Sequence, residues 1–181
     1  MQKREKYSKV IIIFFSVFFI WILLQFLAPL ALPHGTIEDL SGLVGISDNE
    51  EIIEEIPAPW GTIYGVGDTL CHQKVERSFL INGNQMPFCA RCTAIWLGIA
   101  IGLGFMIFYK IELDEKFIII LVVGLVPIGI DGIGQLFGLW ESNNILRMIT
   151  GIFIGVVCGI AIGIIVDEIK EILSSKKTKT N

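Results

Sequence analysis

Residues 145–166 read ILRMITGIFIGVVCGIAIGIIV. The run matches the ~20 apolar residues that carry a helix across a bilayer. It holds a single charge, Arg147, in its first turn. Gly151, Gly155, Gly159 and Gly163 recur at every fourth position and so share one helical face. In lipid, small residues at that spacing let two helix backbones approach closely. The stretch reads as a membrane helix with a packing seam, and it points to an all-α membrane protein.

Three further segments are long and apolar enough to cross, at about 10–32, 92–109 and 117–139. Gly98 and Gly102 repeat the small-residue spacing in the second, and Gly134 and Gly138 in the third. These glycine faces predict either a compact bundle or a homo-oligomer that shares them. No alternation of polar and apolar residues runs through the segments, which argues against a membrane β-barrel. Hydrophobic residues make up 53% of the 181-residue chain and charged residues 18%, a balance unlike that of a soluble domain. No basic stripe with interleaved aromatics is present, so nucleic acid is not an expected partner. The expected partner is the lipid bilayer. Tyr7, Tyr109 and Trp140 stand near span ends, where interface anchors belong.

Orientation follows from lysine and arginine. Lys3, Arg4, Lys6 and Lys9 precede the first span, Lys110 and Lys116 flank the second turn, and Lys170, Lys176, Lys177 and Lys179 follow the last. A four-span path puts all three groups on one side, predicted to be the cytoplasm. The chain is thus expected in the cell membrane with both termini inside. The loop from Pro33 to Arg91 then faces outward and is acidic, with Glu50, Glu51, Glu54 and Glu55 among its carboxylates. The first span exceeds the ~7–15 apolar residues of a signal-peptide core, so it is read as an uncleaved anchor.

This gives four regions: an anchor with its leader (1–32), an acidic connector (33–69), a membrane domain with three spans (70–166) and a basic tail (167–181). In the connector, Ser47-Asp48-Asn49 is expected to cap a short helix over 50–56, with Ile52, Ile53 and Ile56 on one face. Gly61, Gly65 and Gly67 suggest a flexible lead-in over 61–70. Asn82-Gly83, flanked by Ser78–Ile81 and Asn84–Met86, is a strong hairpin signal. Pro87 is expected to end the hairpin and open the next helix. That hairpin would bring Cys71-His72 back towards Cys89 and Cys92.

Those residues are the chemical signal. Cys89 and Cys92 are spaced to project from one face of a helix start, where the N-terminus favours thiolate. With Cys71 and His72 they offer the four soft ligands that zinc takes in a tetrahedron. Cys71 and His72 are neighbours, however, and on extended backbone their side chains point opposite ways, which suits His72 to a supporting role. A thiol pair for redox exchange and a structural disulfide fit the same cysteines. Asp131 and Gln135 share a face in the outer half of the third span, and charge at that depth marks function or a register-fixing ion pair. Arg91 and Arg147 stand at the same side of the membrane as candidate partners. Arg77 either holds an anionic ligand or is a solvated loop residue. Cys158, mid-span among glycines, reads as packing, and His34 as an ordinary interfacial residue.

The set Cys71-His72-Gln73, Arg77-Ser78-Phe79, Cys89-Ala90-Arg91-Cys92-Thr93 and Asp131-Gly132 with Gln135 resembles a prokaryotic family of small membrane proteins, a domain of unknown function. The resemblance covers about residues 70–163 and includes Asn144, Arg147, Thr150 and Gly151. Where that family carries Gly-Ile-Tyr after Cys-Thr, this chain has Ala94-Ile95-Trp96. It implies a shared membrane site and brings no activity with it. The residues lead to an extracytoplasmic site with Cys71, Cys89, Cys92 and His72 as metal ligands, zinc as the expected metal, and His72, Asp131, Arg147, Arg91 and Gln135 as the polar groups that would work beside it. Hydrolysis at the outer leaflet, with zinc activating water, is the expected chemistry. Thiol–disulfide exchange, small-molecule or metal transport, and a non-enzymatic protein with a structural disulfide remain as alternatives.

Overall fold

The computed structural model describes residues 2–4 and 8–180. Lys6 and Tyr7, assigned above to the basic leader and the interface belt, lie outside the described residues, as do the side chains of Lys3, Lys176, Lys177 and Lys179. A two-residue strand β1 (Gln2–Lys3) leads to helix α1 (Lys9–Ala31). Short α2 (Glu50–Glu54) and α3 (Trp60–Leu70) follow. A hairpin of β2 (Leu80–Ile81) and β3 (Asn84–Gln85) precedes α4 (Ala90–Phe108). Strand β4 (Tyr109–Lys110), α5 (Glu115–Leu136) and α6 (Asn144–Thr180) complete the chain.

Helices α1, α4, α5 and α6 are each long and apolar enough to span a membrane. The protein is a multi-pass membrane protein of all-α class with one small hairpin outside the bundle. The glycine seam read in the sequence is occupied within the chain. A Cβ built on Gly98 of α4 would stand 2.7 Å from the Gly155 Cα of α6, and one on Gly151 would stand 2.7 Å from the Ala94 Cβ. Gly102, Gly155 and Gly159 likewise face backbone of the partner helix. Lipid offers no hydrophobic gain for helix association, so this close backbone contact is what holds α4 on α6. Helix α5 packs more loosely; Gly124 meets Val157 of α6, while Gly129 and Gly132 have open space beside them. Buried Ile11, Ile99, Leu103, Met106, Phe117 and Ile164 join all four helices in one core.

One end of the bundle gathers the N-terminus, the α4–α5 turn and the end of α6. Strand β1 pairs with β4, matching Gln2 to Lys110. Arg4 forms an ion pair with Asp167 and donates its Nε to the Met106 and Tyr109 carbonyls, at 2.8 and 3.1 Å. Lys110 pairs with Glu171, and Lys170 reaches Ser8. Helix α6 runs beyond the expected end of its span at 166, because Asp167, Lys170 and Glu171 find these partners and prolong it.

The other end carries a folded cap. Residues 33–89 cover the end of α1 around buried Leu32, Ile37, Leu40, Ile56, Ile63 and Tyr64. The expectation of a flexible stretch over 61–70 is corrected: this stretch is α3. Its glycines serve close approach. A Cβ on Gly61 would lie 2.7 Å from the Ile56 carbonyl oxygen, and one on Gly67 would collide with the Pro87 carbonyl. Helix α2 forms where expected but ends two residues sooner. Asn49 makes no capping bond with its side chain. That amide instead reaches the Leu40 carbonyl (3.0 Å) and buried Asp68 (2.6 Å), tying the connector to α3. Ile56 is buried as expected of the apolar face, Ile53 partly so, and Ile52 is exposed.

The hairpin folds as its turn residues dictate. Asn82 and Gly83 both take positive φ, 53° and 70°, the pair that a two-residue hairpin turn requires. Its return strand acts as a hub. Asn84 donates to the Pro29 and Pro33 carbonyls (3.0 and 2.9 Å) at the end of α1, where carbonyls lack helical partners. Gln85 accepts from the Leu40 N–H (3.0 Å), and the Tyr64 hydroxyl donates to the Gln85 carbonyl (2.7 Å).

Candidate functional site: three thiols beside an arginine-rich cavity

Cys71 is the first residue beyond α3, in extended conformation (φ −141°, ψ 146°). Two residues on, Gln73 takes a left-handed φ of 43° and turns the chain. Its amide, fully buried, donates to the Pro87 carbonyl at 2.8 Å, and its own carbonyl accepts from Gln85. The segment after α3 is thereby stitched to the segment before α4. Phe88 packs edge-on against Trp21 of α1 and Trp96 of α4, with ring centroids 5.9 and 6.5 Å apart, which fixes where α4 begins. Pro87 does not open that helix: Cys89 is its N-cap and Ala90 its first residue.

The result is a trio. The Sγ atoms of Cys71, Cys89 and Cys92 lie within 4.8 Å of one another. The Cys89 N–H donates to the Cys71 sulfur at 3.4 Å. The Cys89 thiol is held well below the ordinary range. Hydrogen bonds from the Cys71 and Cys92 thiols, then the backbone N–H groups of Cys92 and Arg91 at the helix start, stabilise its thiolate against the cost of burial. Cys71 is pushed up to about 11, chiefly because it donates to Cys89. Cys158, within the α4–α6 packing, stands apart from the trio.

His72 is exposed while its neighbour Cys71 is buried, as alternation along extended backbone dictates. The imidazole lines the same cavity as the thiols but is not one of the three close ligand groups. That cavity holds about 310 Å³; its polar walls are the thiols, His72, Lys74, Arg77, Arg91 and Arg147. Val44 and Leu70, each about half exposed, supply its apolar wall.

A polar network backs the cavity. Asp131, 4% exposed, forms an ion pair with Arg91 and accepts from Gln135 Nε2 (3.0 Å) and Trp140 Nε1 (3.4 Å). Arg147, 3% exposed, donates to the amide oxygens of Asn144 (2.9 Å) and Gln135 (3.5 Å). Asn144 in turn reaches the Ser78 carbonyl at 3.3 Å, joining the membrane helices to the hairpin. Of the two arginines weighed in the sequence, Arg91 pairs directly with Asp131, and Arg147 is joined to that pair through Gln135. Gln73, Asn84 and Gln85 place the thiols through hydrogen bonds to distant carbonyls, which their side-chain chemistry alone does not announce. The turn at Asn82-Gly83 was the one available clue.

A family model described as "Predicted membrane protein (DUF2085)" matches residues 71–165, from the first thiol to the end of the glycine seam. The chain belongs to that family. An uncharacterised protein of Methanocaldococcus jannaschii is 34% identical over 154 residues, covering 83% of this chain and 86% of that one. An uncharacterised protein of Methanothermobacter thermautotrophicus is 36% identical over 87 residues, covering 48% of this chain and 78% of its own. No solved structure matches. The DUF2085 match takes in the thiol trio, Arg77, Arg91, Asp131, Gln135 and Arg147, and leaves out α1 and most of the cap.

Proposed function

We propose that this DUF2085 protein is a metalloprotein of the membrane's outer face, in which Cys71, Cys89 and Cys92 hold one zinc ion. The observation that carries the reading is the mutual approach of three sulfurs within 4.8 Å at the wall of a cavity. Thiolates favour zinc among available divalent ions, and three protein ligands with a fourth position open is the pattern of catalytic zinc sites. Zinc so held supplies a Lewis acid that activates water, which suits a metal-dependent hydrolase. His72 suits the proton carrier better than the fourth ligand, since its side chain is exposed where that of Cys71 is buried. Arg91, Arg147 and Gln135 act as the polar wall, with Asp131 holding Arg91 in place.

Elemental analysis of the full-length protein, purified without a polyhistidine tag, tests the metal. The reading expects about one zinc per chain and loss of it in the Cys89→Ser/Cys92→Ser variant. The orientation with both termini cytoplasmic is tested by labelling intact cells. In a Cys71→Ser/Cys89→Ser/Cys92→Ser background, a Leu80→Cys variant should react with an impermeant maleimide and a Lys116→Cys variant should not.

The same sulfur geometry favours a second reading, membrane thiol–disulfide exchange. Cys89 and Cys92 would give up two protons and two electrons to form their disulfide. A substrate disulfide would accept them and leave as two thiols. A mixed disulfide trapped on Cys89 in Cys92→Ser protein would support it; a thiol count unchanged by mild oxidants would exclude it.

A further inference from the structure

The cavity beside the thiols carries more positive charge than the metal reading needs. Lys74, Arg77, Arg91 and Arg147 surround it; Arg147 lies within electrostatic reach of Arg77 and Arg91 and also of Asp131 and Cys89, so four cations share two anionic groups. Asp131 is the one carboxylate paired with any of them at hydrogen-bond distance among the described residues, and it is spent on Arg91. Among the described residues, the carboxylate paired with Arg77 is Glu76, at 3.7 Å, beyond hydrogen-bond range. Arg147 is almost wholly buried yet is held by two neutral amides. The Nε groups of both Arg77 and Arg91 are buried with no acceptor. Cations crowded in a half-enclosed site repel one another, and orphaned donors cost free energy, unless an anion joins them.

We propose that this cavity binds an oxyanion of the phosphate class, through Arg77 and Arg147 with the free edge of Arg91. Planar guanidinium forks match tetrahedral oxyanions in geometry and charge, and the open Nε donors are the ones such a ligand takes up. A second opening, lined by Arg77, Arg91, Gly132, Gln135 and Leu136, continues past the same two arginines along α5. The anion's role as a substrate rests on the metal reading above, with the arginines holding the group on which the metal centre works. Its binding does not require the metal. The phosphate is either free in solution or the headgroup of a lipid, since the cavity lies at the end of the bundle with exposed Val44 and Leu70 at its wall.

The test is titration calorimetry of the full chain in maltoside detergent, with inorganic phosphate in one arm and dihexanoyl phosphatidic acid in the other. Each arm uses wild type, Arg77→Gln, Lys74→Gln and Cys89→Ser/Cys92→Ser proteins. Arg77 is one-third exposed, so its variant should fold. Saturable binding weakened about tenfold or more in Arg77→Gln supports the proposal, since charge-assisted bonds are worth that much. Binding in the first arm identifies a free oxyanion; binding in the second alone identifies a lipid headgroup. Retained binding in the double cysteine variant shows that the arginines act without metal. Binding by a wild-type protein that holds no metal would leave this proposal standing and remove the zinc reading. No binding in either arm, or equal binding by wild type and Arg77→Gln, overturns the proposal.

Discussion

The two ends of the bundle each bury an arginine–aspartate pair, and they differ in what surrounds it. At the termini end, Arg4 is matched throughout: Nε to two carbonyls, both Nη groups to Asp167, and its own N–H to the Phe108 carbonyl. At the thiol end, Arg91 pairs with Asp131 through one Nη, while its Nε is left without an acceptor. Arg77 and Arg147 add charge there that no carboxylate among the described residues meets at hydrogen-bond distance. A closed polar set fixes helix register and is finished when the chain has folded. The surplus donors beside a cavity and three thiols are where the proposed metal and anion would be added.

The largest effect should fall on the pairs themselves. Asp131→Ala and Asp167→Ala each leave a partly buried guanidinium without its carboxylate, and each should cost about 2–4 kcal/mol in unfolding measured in detergent, below the full penalty of a buried pair. The comparison sharpens in the ligands. Asp167→Ala protein that still folds should keep its full metal content, while Asp131→Ala, which frees Arg91 beside the cavity, should change phosphate affinity. An equal response of both properties to the two variants would erase the distinction between the ends.

Next comes the seam that holds both ends in register. Gly98→Leu drives a side chain into the Gly155 backbone of α6 and should cost about 1–3 kcal/mol or more, with loss of the α4–α6 contact. Gly129→Ala in α5 has open space and should be neutral within about 0.5 kcal/mol. Gln73→Ala removes the stitch to Pro87 and leaves a buried carbonyl unpaired, for about 1–3 kcal/mol. Because Gln73 positions Cys71 against Cys89, it should weaken metal retention as well; unchanged retention would mean the thiols need no such support. The smallest effect is His72→Ala, within about 0.5 kcal/mol in stability and without metal loss, since the imidazole is exposed. Metal loss in that variant would restore His72 as a ligand.

Much of this was legible in the sequence for plain reasons. A membrane span needs only length and hydropathy, so α1, α4, α5 and α6 stand out, and the Asn82-Gly83 turn announces its hairpin. The Gly151–Gly163 spacing announced a seam, though its choice of α4 as partner was visible only in three dimensions. Other features misled because one residue type serves two ends. Gly61, Gly65 and Gly67 suggested a flexible lead-in, yet two of them sit where a Cβ would strike neighbouring backbone. Arg4 and Asp167 gave no sign of each other, because partners so far apart in sequence meet only through the antiparallel path of the bundle. The thiols were conspicuous. The amides that place them, Gln73, Asn84 and Gln85, were not, since their roles depend on which carbonyls the fold brings within reach.

The central claim is that the thiol end is built to hold a metal and the termini end is not. Its most direct test is the metal content of tag-free protein purified under reducing, chelator-free conditions, beside the Cys89→Ser/Cys92→Ser and Arg4→Gln variants. The account predicts about one zinc per chain in wild type and in Arg4→Gln protein that folds, and none in the double cysteine variant. Wild-type protein that is folded, fully reduced and free of zinc, iron and copper would contradict it.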